Sequence, residues 1–127
     1  MKRGVREWVR KAEADYRVAL RELCVLIDAS PEAVCFHAQQ CVEKYLKAVL
    51  QEHGLSVPKV HDLLLLWSTA SPCSAHLKRR IGGLGELSAG AVEYRYPGRR
   101  ATAPAARRAV RTMERARAAV RSSLGLI

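Results

Sequence analysis

The sequence has few aromatic residues: Phe, Trp and Tyr together make up 6% of its 127 residues. Sheet proteins are usually rich in aromatic and β-branched residues, which fit a pleated, half-buried surface. Here Ala, Leu, Arg and Val are abundant instead, and this composition favours packed helices. A chain of this length also lies within the ordinary size of one domain, about 50 to 200 residues. We therefore expect a single all-α domain over residues 1–127.

Long apolar runs and closely paired cysteines are also missing. The longest apolar run covers residues 63–67, far short of the ~20 residues that cross a bilayer. The four cysteines form no Cys-x-x-Cys pair, and the charged start of the chain, Met1-Lys2-Arg3, lacks the apolar stretch of an export signal. We expect a cytoplasmic protein with reduced thiols and no membrane contact.

Acidic residues are scarce relative to basic ones, since 12 Asp and Glu face 22 Lys and Arg, a net charge of +10. Residues 1–77 hold ten basic against nine acidic residues, whereas residues 78–127 hold twelve against three, which places +9 of the charge in the second segment. Clustered cations gain affinity for polyanions by releasing counterions. The excess therefore indicates a nucleic-acid or acidic-protein partner, or else a solvated Arg-rich surface that binds nothing.

Apolar residues that recur at steps of three and four predict a first helix over about residues 5–28. Asp15 lies at the edge of its apolar stripe, so we expect a basic or hydrogen-bonding partner for it, unless it faces solvent. Ser30 and Pro31 have the residue types that begin a helix, and Gly54 has the type that ends one. These signals predict a second helix between them.

Three further helical segments follow in the sequence. Asp62 is expected to cap a short helix over residues 63–67, and longer helices are predicted over residues 74–94 and 104–123. Short connections between four main helices make an antiparallel, up-down four-helix bundle with an extra short helix the simplest architecture.

Polar residues form a pattern that begins on the second helix and continues beyond it. The pattern is Phe-His-Ala-Gln-Gln-x-x-Glu-Lys-x-x-Lys over residues 36–47, then His-Asp-Leu over residues 61–63 and Arg-Tyr-Pro over residues 95–97. This order resembles the HEPN family, small helical proteins linked to nucleotide and RNA chemistry, over nearly the whole chain. The resemblance implies a small nucleotidyltransferase of the MNT type as a partner, in a toxin–antitoxin-like module.

Arg95 is the first candidate for chemistry, because Tyr94 and Tyr96 flank it where Pro97 turns the chain. Arg binds phosphate through a bidentate fork and Tyr can stack on a base, so the cluster suits a nucleotide. In the ribonuclease members of the HEPN family, an Arg is followed by four to six residues and then a His. The positions where that His would stand, residues 100–102, hold Arg, Ala and Thr. Cleavage by the usual Arg/His pair is therefore not expected.

Two histidines elsewhere are candidates for the missing proton carrier. His37 lies one turn from Cys41 and two turns from Lys44, on a ridge where a His can act as a base and a Lys can hold an anion. The alternative is a packed His37 that hydrogen-bonds between helices. His61 either works with Asp62 as a proton shuttle or closes the loop onto the second helix while Asp62 caps the next one.

Lys47 belongs to the family pattern, and it also stands at i, i+4 from Glu43, an ion-pair spacing that requires no function. His37 and Cys41 have the spacing of half a metal site, but no second His/Cys pair has suitable spacing. We predict no metal and no cofactor.

The predicted functions fall into three classes. The first is a nucleotide- or RNA-binding HEPN protein, the second is a metal-independent ribonuclease that uses Arg95 with His37 or His61, and the third is a non-catalytic interaction module with a basic final helix. The candidate binding residues are Arg95, Tyr94, Tyr96, His37, Lys44, Lys47, Arg107, Arg111 and Arg115.

A homodimer is also expected. Phe36, Leu46 and Leu50 lie away from the main apolar stripe of the second helix. A second apolar surface on a small domain usually marks an interface.

Overall fold

The computed structural model describes residues 1–127 and is entirely helical, with no β-strand. Two short 3₁₀ turns, Ser71–Cys73 and Ala75–Leu77, separate the third helix from the fourth. None of the helices is both long enough and apolar enough to cross a membrane. The all-α prediction is confirmed. In chain order the helices are α1 (Arg3–Leu23), α2 (Pro31–Glu52), α3 (Leu63–Ala70), α4 (Leu84–Glu93) and α5 (Ala103–Ser123).

Helix α2 lies at the centre of the protein and contacts all four other α-helices. It therefore buries most of its circumference, and Tyr45, Leu46 and Leu50 on it are fully enclosed. This burial corrects the expectation that Leu46 and Leu50 belong to a second, unused apolar surface. Of the three residues that motivated that expectation, Phe36 alone is exposed, with 38% of its surface accessible.

The predicted start and end of α2 and the predicted cap of α3 are confirmed. The Ser30 hydroxyl accepts a hydrogen bond from the Ala33 amide at 3.1 Å, as an N-cap does. Gly54 follows the helix with a φ of 71°, which glycine adopts without steric cost. The Asp62 carboxylate accepts the amide of Leu64 at 3.0 Å, and α3 then continues three residues beyond the predicted end, to Ala70.

Two helix boundaries differ from the sequence predictions. Helix α1 ends at Leu23 instead of near residue 28, and the loop that follows includes Asp28 at a φ of 55°. The segment predicted as one helix over residues 74–94 contains a 3₁₀ turn, a non-helical stretch and then α4. Gly83 has a φ of 92°, and a Cβ atom there would lie 2.3 Å from the Thr112 hydroxyl. Gly83 thus lies before α4 in a left-handed conformation, and its close contact with α5 leaves no room for a side chain.

An ion-pair network ties α1 to α5 and α2. Arg117 donates two hydrogen bonds of 2.7 Å to the Glu13 carboxylate, and the Tyr45 hydroxyl donates a third at 2.6 Å. The Arg117 guanidinium also lies 4.0 Å from the centre of the Tyr16 ring. The hydrogen bonds from Arg117, and then from Tyr45, outweigh burial and lower the pKa of Glu13 to about 2.

Candidate functional site

Arg95 lies immediately beyond the end of α4, where its side chain is exposed and forms no ion pair. Tyr94 before it folds back onto α4, and a Cβ atom at Gly90 would lie 2.9 Å from the Tyr94 ring. Glycine at position 90 thus allows the ring to pack closely against the helix. Tyr96 remains 63% exposed. The cluster therefore presents one free cation and one free phenol ring to solvent.

A groove of about 430 Å³ runs from Arg95 between α2, α4 and the start of α3. We call it the Arg95 groove. His61 and Arg95 both line this groove, together with Gln40 and the exposed ring of Phe36. The remaining lining residues are Gln39, Asp62, Leu64, Gly85, Ser88, Ala89, Ala91 and Val92.

A second, smaller depression of about 260 Å³ adjoins the first, and Arg95 and Phe36 line both. Its lining also includes His37, Tyr94 and Glu32. Arg95 therefore stands between the two candidate histidines, with His61 in the larger groove and His37 in the smaller one.

A carboxylate holds each of these histidines in place. His37 Nδ1 lies 2.7 Å from Asp15 Oδ1, and Lys44 Nζ lies 2.5 Å from Asp15 Oδ2. The Asp15 side chain is only 10% exposed, so its expected basic partners are confirmed. His37 thus has the inter-helix hydrogen bond of the packed alternative, with its other ring nitrogen left free.

The second carboxylate repeats this arrangement. The Glu43 carboxylate is hydrogen-bonded to His61 Nδ1 at 2.9 Å, and it accepts hydrogen bonds from Lys47 Nζ at 3.0 Å and Gln39 Nε2 at 3.1 Å. Burial raises the pKa of Glu43, but these three hydrogen bonds outweigh it and the net pKa is lowered. Gln39 also donates to the backbone oxygen of His61 at 3.1 Å. His61 thus has the contacts with α2 that are expected if it closes the loop onto that helix.

The two lysines that the sequence suggested as ligand-binding residues therefore form ion pairs within the protein. Lys44 pairs with Asp15, and Lys47 is buried with 7% of its side chain exposed and pairs with Glu43. Arg107, Arg111 and Arg115 on α5 are exposed and unpaired, but they line neither the Arg95 groove nor the smaller depression. The structure thus separates the α5 arginines from the Arg95 cluster.

Sequence reasoning did not single out Gln40 or Phe36 as groove residues, nor Asp15 and Glu43 as the carboxylates that orient the histidines. The signal was present, because Gln40, Phe36 and Glu43 belong to the polar pattern of residues 36–47 on α2. Their joint position with Arg95 depends on how α4 packs on α2. No group of three His, Cys, Asp or Glu side chains is arranged to hold a metal ion.

Comparison with known proteins gives one match. The family model described as HEPN domain matches residues 5–123 of the chain. No curated protein and no solved structure matches the chain. The match covers nearly the whole chain and includes every residue of the Arg95 groove. This protein belongs to the HEPN domain family.

Proposed function

We propose that this HEPN protein binds a nucleotide or an RNA phosphate in the Arg95 groove. The observation that carries the proposal is the position of Arg95, an unpaired cation on the rim shared by two depressions, each lined by a carboxylate-bound histidine. A free guanidinium forms bidentate hydrogen bonds with phosphate oxygens. A phosphate bound there would be close to both histidines.

The rest of the lining suits the base and sugar of such a ligand. Phe36, Leu64 and Val92 offer apolar surface. Gln40 Nε2 donates a hydrogen bond to Gln39 Oε1 at 2.8 Å, which leaves the Gln40 carbonyl oxygen as an acceptor for a ligand. Ligand sites usually combine an apolar lining with a few polar groups that fix orientation. Tyr96, exposed beside Arg95, supplies a ring on which a base can stack.

A metal-independent ribonuclease is the second candidate, and the Glu43–His61 contact favours it. Because Nδ1 of His61 is hydrogen-bonded to Glu43, Nε2 is the ring nitrogen that can exchange a proton with a substrate. A carboxylate that fixes the tautomer and orientation of a histidine is a recurrent feature of general acid–base sites. Arg95 in the same groove would stabilise the charge on the reacting phosphate.

Finer parts of the proposal concern partners and assembly. We propose that the protein acts in the cytoplasm as a homodimer, with an MNT-type nucleotidyltransferase in a toxin–antitoxin-like module. We also propose an up-down order for the main helices, which their short connections favour. The exposed Phe36 supports the dimer, and the positive charge of residues 78–127 supports an acidic partner surface. A purely non-catalytic module that docks through basic α5 is the remaining alternative.

Binding of a fluorescently labelled single-stranded RNA and of a labelled nucleotide, measured by anisotropy, tests the proposed site. Arg95→Gln should weaken binding roughly tenfold, which corresponds to about 1.4 kcal/mol. Arg100→Gln is the matched control, because Arg100 is also exposed and unpaired but lies outside the groove. If the two variants bind like the wild type, the ligand site is not at Arg95.

A further inference from the structure

A third concave surface lies between the segment of residues 76–82 and helix α5, with a volume of about 590 Å³. Its polar lining consists of His76, Arg79, Arg80 and Arg115, and no Asp or Glu takes part. We call it the basic groove. We propose that the basic groove binds consecutive phosphates of an RNA strand, as a site separate from the Arg95 groove.

The backbone on both sides of the basic segment is attached to the rest of the protein. The Leu77 side chain is fully buried, and Trp67 Nε1 donates a 3.0 Å hydrogen bond to the Leu77 carbonyl. At the other end the Thr112 hydroxyl donates to the Gly82 carbonyl at 3.3 Å. Arg79 and Arg80 therefore project from a stretch of chain that is fixed at both ends. Such a segment loses little conformational entropy when it binds a ligand.

The three arginines of the basic groove are exposed, and none contacts a carboxylate. By contrast, Arg108 and Arg117 of α5 form ion pairs, with Glu86 and Glu13 respectively. Unpaired like charges in one concave surface repel each other, and a multivalent anion relieves that repulsion. Guanidinium groups also match the paired oxygens of phosphate.

A polymer fits the geometry better than a single nucleotide. Gly82 at the basic groove precedes α4, and Arg95 at the other groove follows it. A helix of 10 residues lies between them in the chain, and such a helix is about 15 Å long, at 1.5 Å per residue. One phosphate cannot reach both sites, whereas one strand can. This inference rests on the proposed function, since it identifies RNA as the ligand that uses both grooves.

The uncharged part of the lining indicates that the basic groove binds RNA through electrostatic contacts that do not depend on base sequence. Ile81, Gly82, Ala118 and Ala119 have no side-chain hydrogen-bonding group. Contacts to phosphate carry no sequence information, and they make binding strongly dependent on salt.

The test compares an Arg79→Gln/Arg80→Gln double variant with an Arg6→Gln/Arg17→Gln double variant, which removes the same charge from exposed, unpaired arginines of α1. Affinity for a labelled single-stranded RNA is measured over a range of salt concentrations. The slope of log affinity against log salt should flatten by about 1.4 in the Arg79/Arg80 variant, at about 0.7 per phosphate contact on a single strand. It should stay unchanged in the α1 variant.

Two further measurements separate the possible failures. If Arg95→Gln weakens RNA binding but the Arg79/Arg80 variant matches the α1 control, the basic groove is not part of the RNA site and the Arg95 proposal stands. If the wild type binds the labelled nucleotide but no RNA, the basic-groove proposal is overturned and the Arg95 proposal stands. If it binds neither, both are overturned. Poly-glutamate is the competitor that tests the ligand class: displacement of RNA at equal charge concentration would show an acidic-protein site instead, and failure to displace supports phosphate.

Discussion

His37 Nδ1 lies 2.7 Å from Asp15 Oδ1, and this contact joins α1 to the polar ridge of α2 at the edge of the candidate site. Lys44 contacts the other oxygen of the same carboxylate. Asp15 thus contacts two residues of α2: His37, which lines the smaller depression, and Lys44, which does not. The contact makes the position of His37 depend on how α1 packs on α2.

Asp15→Asn should destabilise the protein by about 2 kcal/mol, because hydrogen bonds to charged groups typically contribute 1.5 to 3 kcal/mol. The substitution leaves the half-buried Lys44 without its counter-charge. Urea denaturation measures the change in the free energy of unfolding. Asp28→Asn is the control, since Asp28 is exposed and Asn tolerates its positive φ. Equal stability of both variants would contradict a structural role for Asp15.

The Glu13 network should make stability depend on pH in the acidic range. The pKa of Glu13 is lowered from 4.5 to about 2 in the folded protein, so its stabilising contribution is complete above about pH 4.5 and is lost as the pH falls towards 2. The contribution is on the order of 3 kcal/mol. Thermal melts of Glu13→Gln should show lower stability at pH 7 and a flatter profile between these pH values.

Glu7→Gln provides the comparison for Glu13, because Glu7 pairs with Arg10 at the solvent-exposed surface of α1. Exposed pairs contribute little to stability. A Glu13→Gln profile that parallels that of Glu7→Gln would show that the Arg117 and Tyr45 contacts do not stabilise the fold.

The arginines on the outer face of α5 should control the salt dependence of nucleic-acid binding. Replacing Arg107, Arg111 and Arg115 with Gln should flatten the slope of log affinity against log salt by roughly 2, at about 0.7 per contact on single strands. An Arg3/Arg6/Arg17→Gln variant removes the same charge from α1 and should keep the wild-type slope. An unchanged slope in the α5 variant would place the phosphate contacts elsewhere.

The isolated protein should bind RNA but cleave it slowly or not at all. The histidine that usually follows the Arg is absent, and general acid–base help typically supplies about 10² to 10⁴ in rate. The measurement is incubation with mixed RNA in the presence of a chelator, for the wild type and for Arg95→Ala, His37→Ala and His61→Ala. Rapid cleavage that disappears in Arg95→Ala would refute this expectation, and equal damage from one histidine variant would identify the proton carrier.

A homodimer should be observed by sedimentation at micromolar protein. Phe36→Ala should shift the equilibrium towards monomer, because Phe36 is exposed on α2 among other apolar groove residues. Leu26→Ala is the apolar control, since Leu26 is 96% exposed in the loop after α1. A wild-type monomer at this concentration would contradict the prediction.

The helical class and the bounds of α2 and α5 follow from the amino-acid sequence, because they depend on local signals. Ser30, Pro31 and Gly54 act within one turn of the chain, and apolar spacing gives the buried face of each helix. The family pattern over residues 36–47, 61–63 and 95–97 also identified Arg95, His37 and His61 as candidates.

Other features depend on contacts between distant segments and are visible only once the helices are packed together. Periodicity did not locate the break at Gly82-Gly83, because apolar spacing shows neither the left-handed conformation of Gly83 nor its contact with Thr112 on α5. It did not show that Leu46 and Leu50 are buried, since α2 is surrounded by helices far away in sequence. The pairing of Lys44 and Lys47 with carboxylates, and the meeting of Arg95 with His61, likewise arise from packing, which brings together side chains that local sequence rules treat separately.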